Sequence, residues 1–581
     1  MRRKVDLLVL GLLLLAVLIG VWSYGRARQA RGDLTAARNL ANKVQQELTA
    51  GEIDRAQAAL VPLRRELDRA AGRTGGPMWT LAEHLPLLGS NFHAVRRAAL
   101  AAQVLGADVL PQATEALSIA RRDKPLHNGV VDLAVLARLR VPLHAAALAG
   151  ERARALVDHR EHFLLPSVSD GFLEARAKVD GLAEAMGAAD KALGLAPTML
   201  GQDGPRRYYI AVQNNAEARA TGGLIGAFAL MTADRGKITL AKAGTDSQLH
   251  IAKSPVPSDP QAATTWKNLG STLAWFDANL TPNFPDAARN IAGQWTAQSG
   301  DRIDGVIGLD PLVMGELLRA TGPISIDAKS QVSAGNVMAF IGHDEYVRYP
   351  SSEADLLANS EQRKALLRTL ATTLFHRLLT VDQPVRTLQA LARAGASGHL
   401  FVWSAHPAEE AALKTGLAGG ALPRTSAPYL SVLTQNFGGN KLDYYIRRSV
   451  DVRRDSRKGF LRITVTLRNI APEGLPFYMT VRSDKPPHPV PYGQAKVGLS
   501  IYGAYSSEIT RVTVDGRPGT MTFDRDQGHR MSVMGLEVPR GRPVVVSVLM
   551  SEPEGELLYR QQPLVVPDQL EIKMPYRVVG R

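Results

Sequence analysis

The densest run of chemically capable side chains is Gln213-Asn214-Asn215-Ala216-Glu217-Ala218-Arg219-Ala220-Thr221-Gly222-Gly223. Asn214 and Asn215 offer amide donors and acceptors, Glu217 and Arg219 offer opposite charges, and Thr221 offers a hydroxyl. Gly222 and Gly223 let a ligand or a second stretch of backbone come close. Such a set could bind an anion or a polar ligand. Equally, it could be a structural loop in which Arg219 pairs with a carboxylate and the Asn side chains close turns. The glycines do not fit a dinucleotide-binding or phosphate-loop turn. Those turns open a helix whose N-terminus receives the phosphate, whereas here the apolar run 224–231 follows and reads as a strand.

No His-Glu-x-x-His, Gly-x-Ser-x-Gly or calcium-loop pattern occurs. His84, His93, His343 and His376 are scattered, so no metal ligand set is expected. The chain has no cysteine, which excludes disulfides, thiol nucleophiles and cysteine-bound zinc. Trp266, Trp275, Phe276 and Phe284 stand around Asn279 and Asn283 and suit a core, or the wall of a cleft for a sugar or lipid.

These residues need elements to hold them. Residues 206–212 read as a strand, 213–223 as a polar loop, 224–231 as a second strand, 232–237 as a turn, and 238 onwards as a third strand. Upstream the texture is helical: Leu40, Val44 and Leu48 step by four, and Leu60, Leu63 and Leu67 by three and four, both one-face spacings. Downstream from Leu442, short alternating runs such as 460–467, separated by Gly and Pro turns, predict a β-sandwich.

The 581 residues carry a net charge of +14. Nothing turns that charge into nucleic-acid binding: zinc-finger spacing, aromatic RNA-binding boxes and compact basic runs are all missing. The Arg residues are spread among Ala, Leu and Glu as a solvated helix face. At the N-terminus Arg2, Arg3 and Lys4 precede an apolar stretch, 5–24, which opens on Val5 and closes on Tyr24. Its length of about 20 residues matches a bilayer span, and Trp22 and Tyr24 suit an interface. The following Gly25-Arg26-Ala27-Arg28 is a poor cleavage site. The expectation is a single-pass plasma-membrane protein with most of its chain extracytoplasmic.

The central motif resembles the signature of the bacterial domain-of-unknown-function family 4012, common in actinobacterial envelopes. Further stretches resemble it too: Asn283-Phe284-Pro285-Asp286, Ile303-Asp304-Gly305-Val306-Ile307-Gly308-Leu309-Asp310-Pro311, and Leu317-Leu318-Arg319-Ala320-Thr321-Gly322-Pro323-Ile324. The family implies no reaction.

A remoter resemblance is to the LytR–CpsA–Psr phosphotransferases, which move polyprenyl-pyrophosphate-linked glycopolymers onto peptidoglycan. It rests on the order of strand, polar loop and strand across 208–243, on Asp304 to Ile324, and on the helix holding Arg363. Those enzymes hold pyrophosphate with several arginines and a magnesium ion. Here Thr245-Asp246 and Leu224-Ile225-Gly226 stand where they carry arginines, which leaves Arg219, Asp246 and Arg363 as the catalytic candidates the resemblance supplies.

The expected architecture is therefore multidomain α+β: a membrane anchor (1–28), a helical stalk (29–200), a central α/β/α LytR–CpsA–Psr-like domain (201–400), a linker (401–440) and a β-sandwich (441–581). The expected function is binding of a cell-wall polymer, lipid carrier or partner. Asn214, Asn215, Glu217, Arg219, Thr221, Gly222, Gly223 and Asp246 are the ligand-contacting candidates. Glycopolymer transfer with magnesium is the alternative; without it no cofactor is expected.

Overall fold

The computed structural model describes residues 25–580 apart from 27, 49–51, 87, 160–162, 328–329, 356, 381–383 and 417. The expected anchor, 5–24, lies outside the described residues. The chain is mixed α+β, and its described residues divide into two compact units, one from 25–125 and 132–197, the other from 126–131 and 198–580.

The first unit is helical. Residues 28–48 and the helix Ile53–Arg73 share a core of Val44, Leu60, Leu63 and Leu67, with Leu40 and Leu48 packed against it, so the apolar steps mark the buried faces. Trp79, on the short helix Pro77–Glu83, is fully buried and donates its indole N–H to the Phe92 carbonyl at 3.3 Å. The helix Leu133–Val157 starts at Asp132, whose carboxylate accepts from the Ala134 and Val135 amides at 2.9 and 3.1 Å and so satisfies two orphan donors. Among the described residues it is the one helix long and apolar enough to cross a membrane. Its Ala146, Ala149, Ala153 and Val157 are buried in bundle cores, as a core helix of a folded bundle also requires.

The second unit begins with a departure from the expected helical stalk. Strands β1 (Leu126–His127) and β2 (Val130–Val131) form a hairpin on a seven-stranded sheet. That sheet continues with β3 (Arg206–Arg219), β4 (Gly222–Asp234), β5 (Lys237–Thr245), β6 (Gly305–Leu309) and, beyond the small ribbon of β7 (Ile324–Asp327) and β8 (Ser330–Val332), β9 (Leu400–Ser404). Its order is β1-β2-β5-β4-β3-β6-β9; β3 and β6 run parallel and every other pair antiparallel. Alternation along β6 feeds two cores. Val306 packs with the helix Phe284–Ser299 on one face, while Ile307 and Leu309 pack with the helices Pro311–Thr321, Ser360–Leu379 and Pro384–Ala396 on the other.

Two six-stranded sheets follow. One contains β10 (Tyr429–Asn436), the other β11 (Ile446–Arg454) and β12 (Phe460–Asn469), and both close over one core that includes Leu430, Val432, Val450, Ile463, Val465, Val497, Val546 and Val548. The alternation of Phe460-Leu461-Arg462-Ile463-Thr464-Val465 puts Leu461, Ile463 and Val465 into that core. Residues 401–440, read above as a linker, instead hold most of β9, the helix Pro407–Leu413 and all of β10, whose eight residues are every one buried.

Candidate functional site

The expected polar loop at 213–223 is not a loop. β3 runs on through Arg219 and turns back over Ala220 and Thr221 into β4. The pairing jumps from Asn214 opposite Leu224 to Ala218 opposite Gly223, so residues 215–217 bulge out of the ladder. Polar side chains hold the bulge. Asn214 Oδ1 accepts from the Ala216 amide at 3.0 Å, and its Nδ2 donates to the Tyr346 hydroxyl at 3.4 Å. Asn215 Nδ2 donates to Asp310 Oδ2 at 3.0 Å and to the Pro563 carbonyl at 3.2 Å. Asp310 itself caps the helix Pro311–Thr321 and pairs with His399 at 2.5 Å.

The glycines serve the same packing. Gly222 has φ +135°, and a Cβ there would meet Gln213 Oε1; a Cβ on Gly223 would stand 1.8 Å from the Asn214 carbonyl. The Gly223 amide donates to Gln213 Oε1 at 3.1 Å, and its carbonyl accepts from buried Asn279 at 2.9 Å. The Thr221 hydroxyl is buried without a hydrogen-bond partner.

Arg219 is 6% exposed, and its guanidinium makes four hydrogen bonds. Nε donates to the Phe276 carbonyl at 3.0 Å, Nη1 to the Ala218 and Asn436 carbonyls at 3.1 and 3.0 Å, and Nη2 to Asp277 Oδ1 at 3.2 Å. Burial raises the pKa of Asp277 despite that guanidinium.

A second charged group forms around the bulge. Glu217 pairs with Lys441, both buried. Burial pulls the Lys441 pKa down, but the Glu217 carboxylate more than offsets this and holds it above its ordinary value. The Lys441 ammonium lies 5.5 Å from the Tyr346 ring and 4.9 Å from the Tyr478 ring. Arg363 approaches the same rings at 5.7 and 5.0 Å and donates to the Tyr349 and Ala358 carbonyls at 2.6 and 3.1 Å. Asp246 is part-exposed and meets Lys364 at 3.6 Å. Arg219 shares no bonding partner with Asp246 or Arg363.

Glu345, 1% exposed, sits beside Tyr346 near the charges of Lys441 and Arg363, and burial pushes its pKa up to about 8. Between the ordinary 4.5 and about 8 the folded chain binds more protons than the unfolded one. Stability must therefore fall as pH rises through that window, by about 1.4 kcal/mol per unit of separation at most. Asp443 and Asp526, each raised to about 6 by burial, and Glu410 and Glu552, each raised to about 7, act in the same direction. Denaturation at pH 5 and pH 8 is expected to show the higher stability at pH 5, and Glu345→Gln is expected to shrink the gap by one proton's worth. An unchanged gap would remove Glu345 from this role.

Among the described residues no group of three or more His, Asp or Glu side chains could hold a metal ion. Asp246, the carboxylate a magnesium site would need, is paired with a lysine instead. Two described cavities, of about 10 and about 240 Å³, are not lined by Asp246, Arg363 or any residue from Asn214 to Arg219. Trp266 and Phe284 are buried core residues rather than a cleft wall.

Lys441, Glu345, Tyr346, Tyr478 and Asp443 escaped the sequence reading. They reach the bulge from far along the chain, and no local spacing announces them. Residues 203–346 match the model of one protein family, described as protein of unknown function (DUF4012). No curated protein and no solved structure matches the chain.

Proposed function

Residues 203–346 belong to the DUF4012 family of proteins of unknown function, and from that premise we propose that the chain is a membrane-tethered, extracytoplasmic envelope protein that binds a ligand or partner and does not catalyse transfer. One observation carries this reading. The guanidinium of Arg219, the side chain best suited to hold a phosphate, is spent on three backbone carbonyls and Asp277. A charge already satisfied and buried has little left to offer a pyrophosphate. Helices on both faces of the central sheet support a fold-level likeness to the LytR–CpsA–Psr transferases, but fold does not carry chemistry.

The tether in this reading is 5–24, with the N-terminus inside. A reporter fused to the C-terminus is expected to be active only outside the cell; activity inside would make the chain a cytoplasmic scaffold. The transferase rival is separated by incubating the full chain in lipid nanodiscs with a labelled polyprenyl-pyrophosphate oligosaccharide, peptidoglycan and magnesium. No labelled peptidoglycan is expected. Transfer that disappears in Asp246→Asn would establish the rival.

A further inference from the structure

The helical unit carries an apolar tip at the end where its described chain begins. Arg73, closing the helix Ile53–Arg73, pairs with Asp33 and donates to Gln29, each at 2.5 Å. Gln57 donates to Ser118 at 3.0 Å and Gln103 to Asp68 at 2.8 Å. The helical run from Gly89 to Asp123 therefore passes antiparallel to Ile53–Arg73. At about 1.5 Å of rise per residue, these ties put Gly89 about 13 Å, and Gly25 about 9 Å, beyond Arg73 in the same direction. Gly25 and Gly89 thus share one end of the bundle.

What stands at that end is apolar. The helix Pro77–Glu83 buries Trp79 and Ala82 and leaves Met78 and Leu81, one turn apart, exposed. Leu88 follows, also exposed. Asn91 Nδ2 donates to the Phe163 carbonyl at 3.4 Å, and its Oδ1 accepts from the Leu165 amide at 2.8 Å. That clamp holds exposed Leu165, and Phe163 at 87% exposure, beside the same turn. Five large apolar side chains gathered at one tip favour leaving water together. Charge there is positive. From Thr74 to Arg97 the sequence has one acidic residue, Glu83, which Arg96 meets at 3.3 Å. Arg28 and Arg31 are exposed in the first turns after Gly25.

The chain preceding Gly25 says what covers this tip. Its apolar stretch 5–24 has the length of a bilayer span and stops one residue before Gly25. We propose that this end of the bundle docks on the lipid surface from which the chain emerges. Phe163, Leu165, Leu88, Leu81 and Met78 enter the headgroup boundary, and Arg28 and Arg31 stand over anionic headgroups. The docking deepens the envelope reading above and rests on its tether. It adds a second contact with the membrane, made by the folded bundle itself, and it is independent of which side of the membrane the bundle occupies.

Because the chain has no cysteine, single labels can be placed at will. Phe163→Cys and Gln46→Cys would each carry an environment-sensitive fluorophore in the full chain. Gln46 is the control, exposed and about 30 Å along the first helix from Gly25. The discs are phosphatidylcholine–phosphatidylglycerol nanodiscs, with and without nitroxide-bearing lipid. Quenching is expected to be about threefold greater at 163 than at 46, since an interfacial apolar face sits about 5–10 Å into the boundary. A label on Leu81→Cys is expected to lose most of its quenching in the Phe163→Glu/Leu88→Glu background. Both positions are exposed, and the comparison of 163 with 46 decides the matter if that background misfolds. Equal quenching at 163 and 46, in chain that stays with the discs, would overturn the docking and leave the tether standing. Chain that does not stay with the discs would sink the tether, and the docking with it. A blue-shifted label at 163 that the lipid nitroxide leaves unquenched would assign the tip to another protein chain and overturn the lipid surface. Full quenching at 81 in the folded double variant would overturn it as well.

Discussion

Replacing Arg219 by Ala is expected to cost about 3–5 kcal/mol of stability, the range for removing one partner from a buried charged network. The variant would leave Asp277 without its cation, and the Asn436 and Ala218 carbonyls without their donor. Arg219→Lys is expected to recover less than half of the loss. An ammonium on a shorter stem cannot place donors on the Phe276 carbonyl, the Asn436 carbonyl and Asp277 together. Thermal melting and limited proteolysis of the full chain would read both variants. A ligand-binding arginine behaves in the opposite way, since its removal abolishes binding and leaves the melting temperature nearly unmoved. That second pattern would overturn the structural assignment and restore the transferase reading of the motif.

The sequence disclosed those elements whose polarity alternates with their geometry. Leu60, Leu63 and Leu67 mark a helix face, and 460–467 marks a strand with one buried side. It misled wherever polar residues are buried. Gln213, Asn215, Glu217, Arg219 and Thr221 read as a polar loop; the carboxylate partner expected for Arg219 is there as Asp277, yet each of the five is buried in the β3–β4 hairpin. The same failure hid β10, where Ser431, Thr434, Gln435 and Asn436 are as buried as Leu430 and Val432. Polar residues are buried where partners meet them, and those partners lie far away in sequence: Asp443 receives the Ala218 amide, and Gln562 donates to the Thr434 carbonyl. The β1–β2 hairpin was invisible for another reason. Two-residue strands carry no period, and they exist because β5 offers an edge to pair with.

The motif's composition follows from this. A bulge of three residues at the end of a buried strand exposes backbone groups that the ladder would otherwise satisfy. Asn214 Oδ1 and Asp443 Oδ2 accept from the Ala216 and Ala218 amides, Asn215 ties the bulge to Asp310 and the Pro563 carbonyl, and the two glycines let the returning strand pass at a distance no Cβ allows. The density of functional groups in this run therefore reflects the demands of folding as well as any demand of ligand recognition.

The Glu217–Lys441 pair gives the second large effect. Lys441→Met is expected to destabilise the chain by about 3–5 kcal/mol, because Glu217 would be left charged and buried without its cation. Glu217→Gln is expected to be costly for the converse reason, stranding an ammonium. The double variant Glu217→Gln/Lys441→Met should be more stable than Lys441→Met alone. With both charges gone nothing is left unpaired, and a methionine thioether packs well against the two tyrosine rings. The coupling expected from the cycle is about 1–3 kcal/mol, above the few tenths found for independent sites. Arg363 sharpens the interpretation. It approaches the same two rings but donates its hydrogen bonds to backbone carbonyls, so its cation is positioned independently of Glu217. Arg363→Met should therefore leave Glu217 unrelieved in the Lys441→Met background. A cycle with no coupling between 217 and 441 would mean that the two side chains do not hold each other in solution, and that the bulge owes its shape to Asn214 and Asn215 alone.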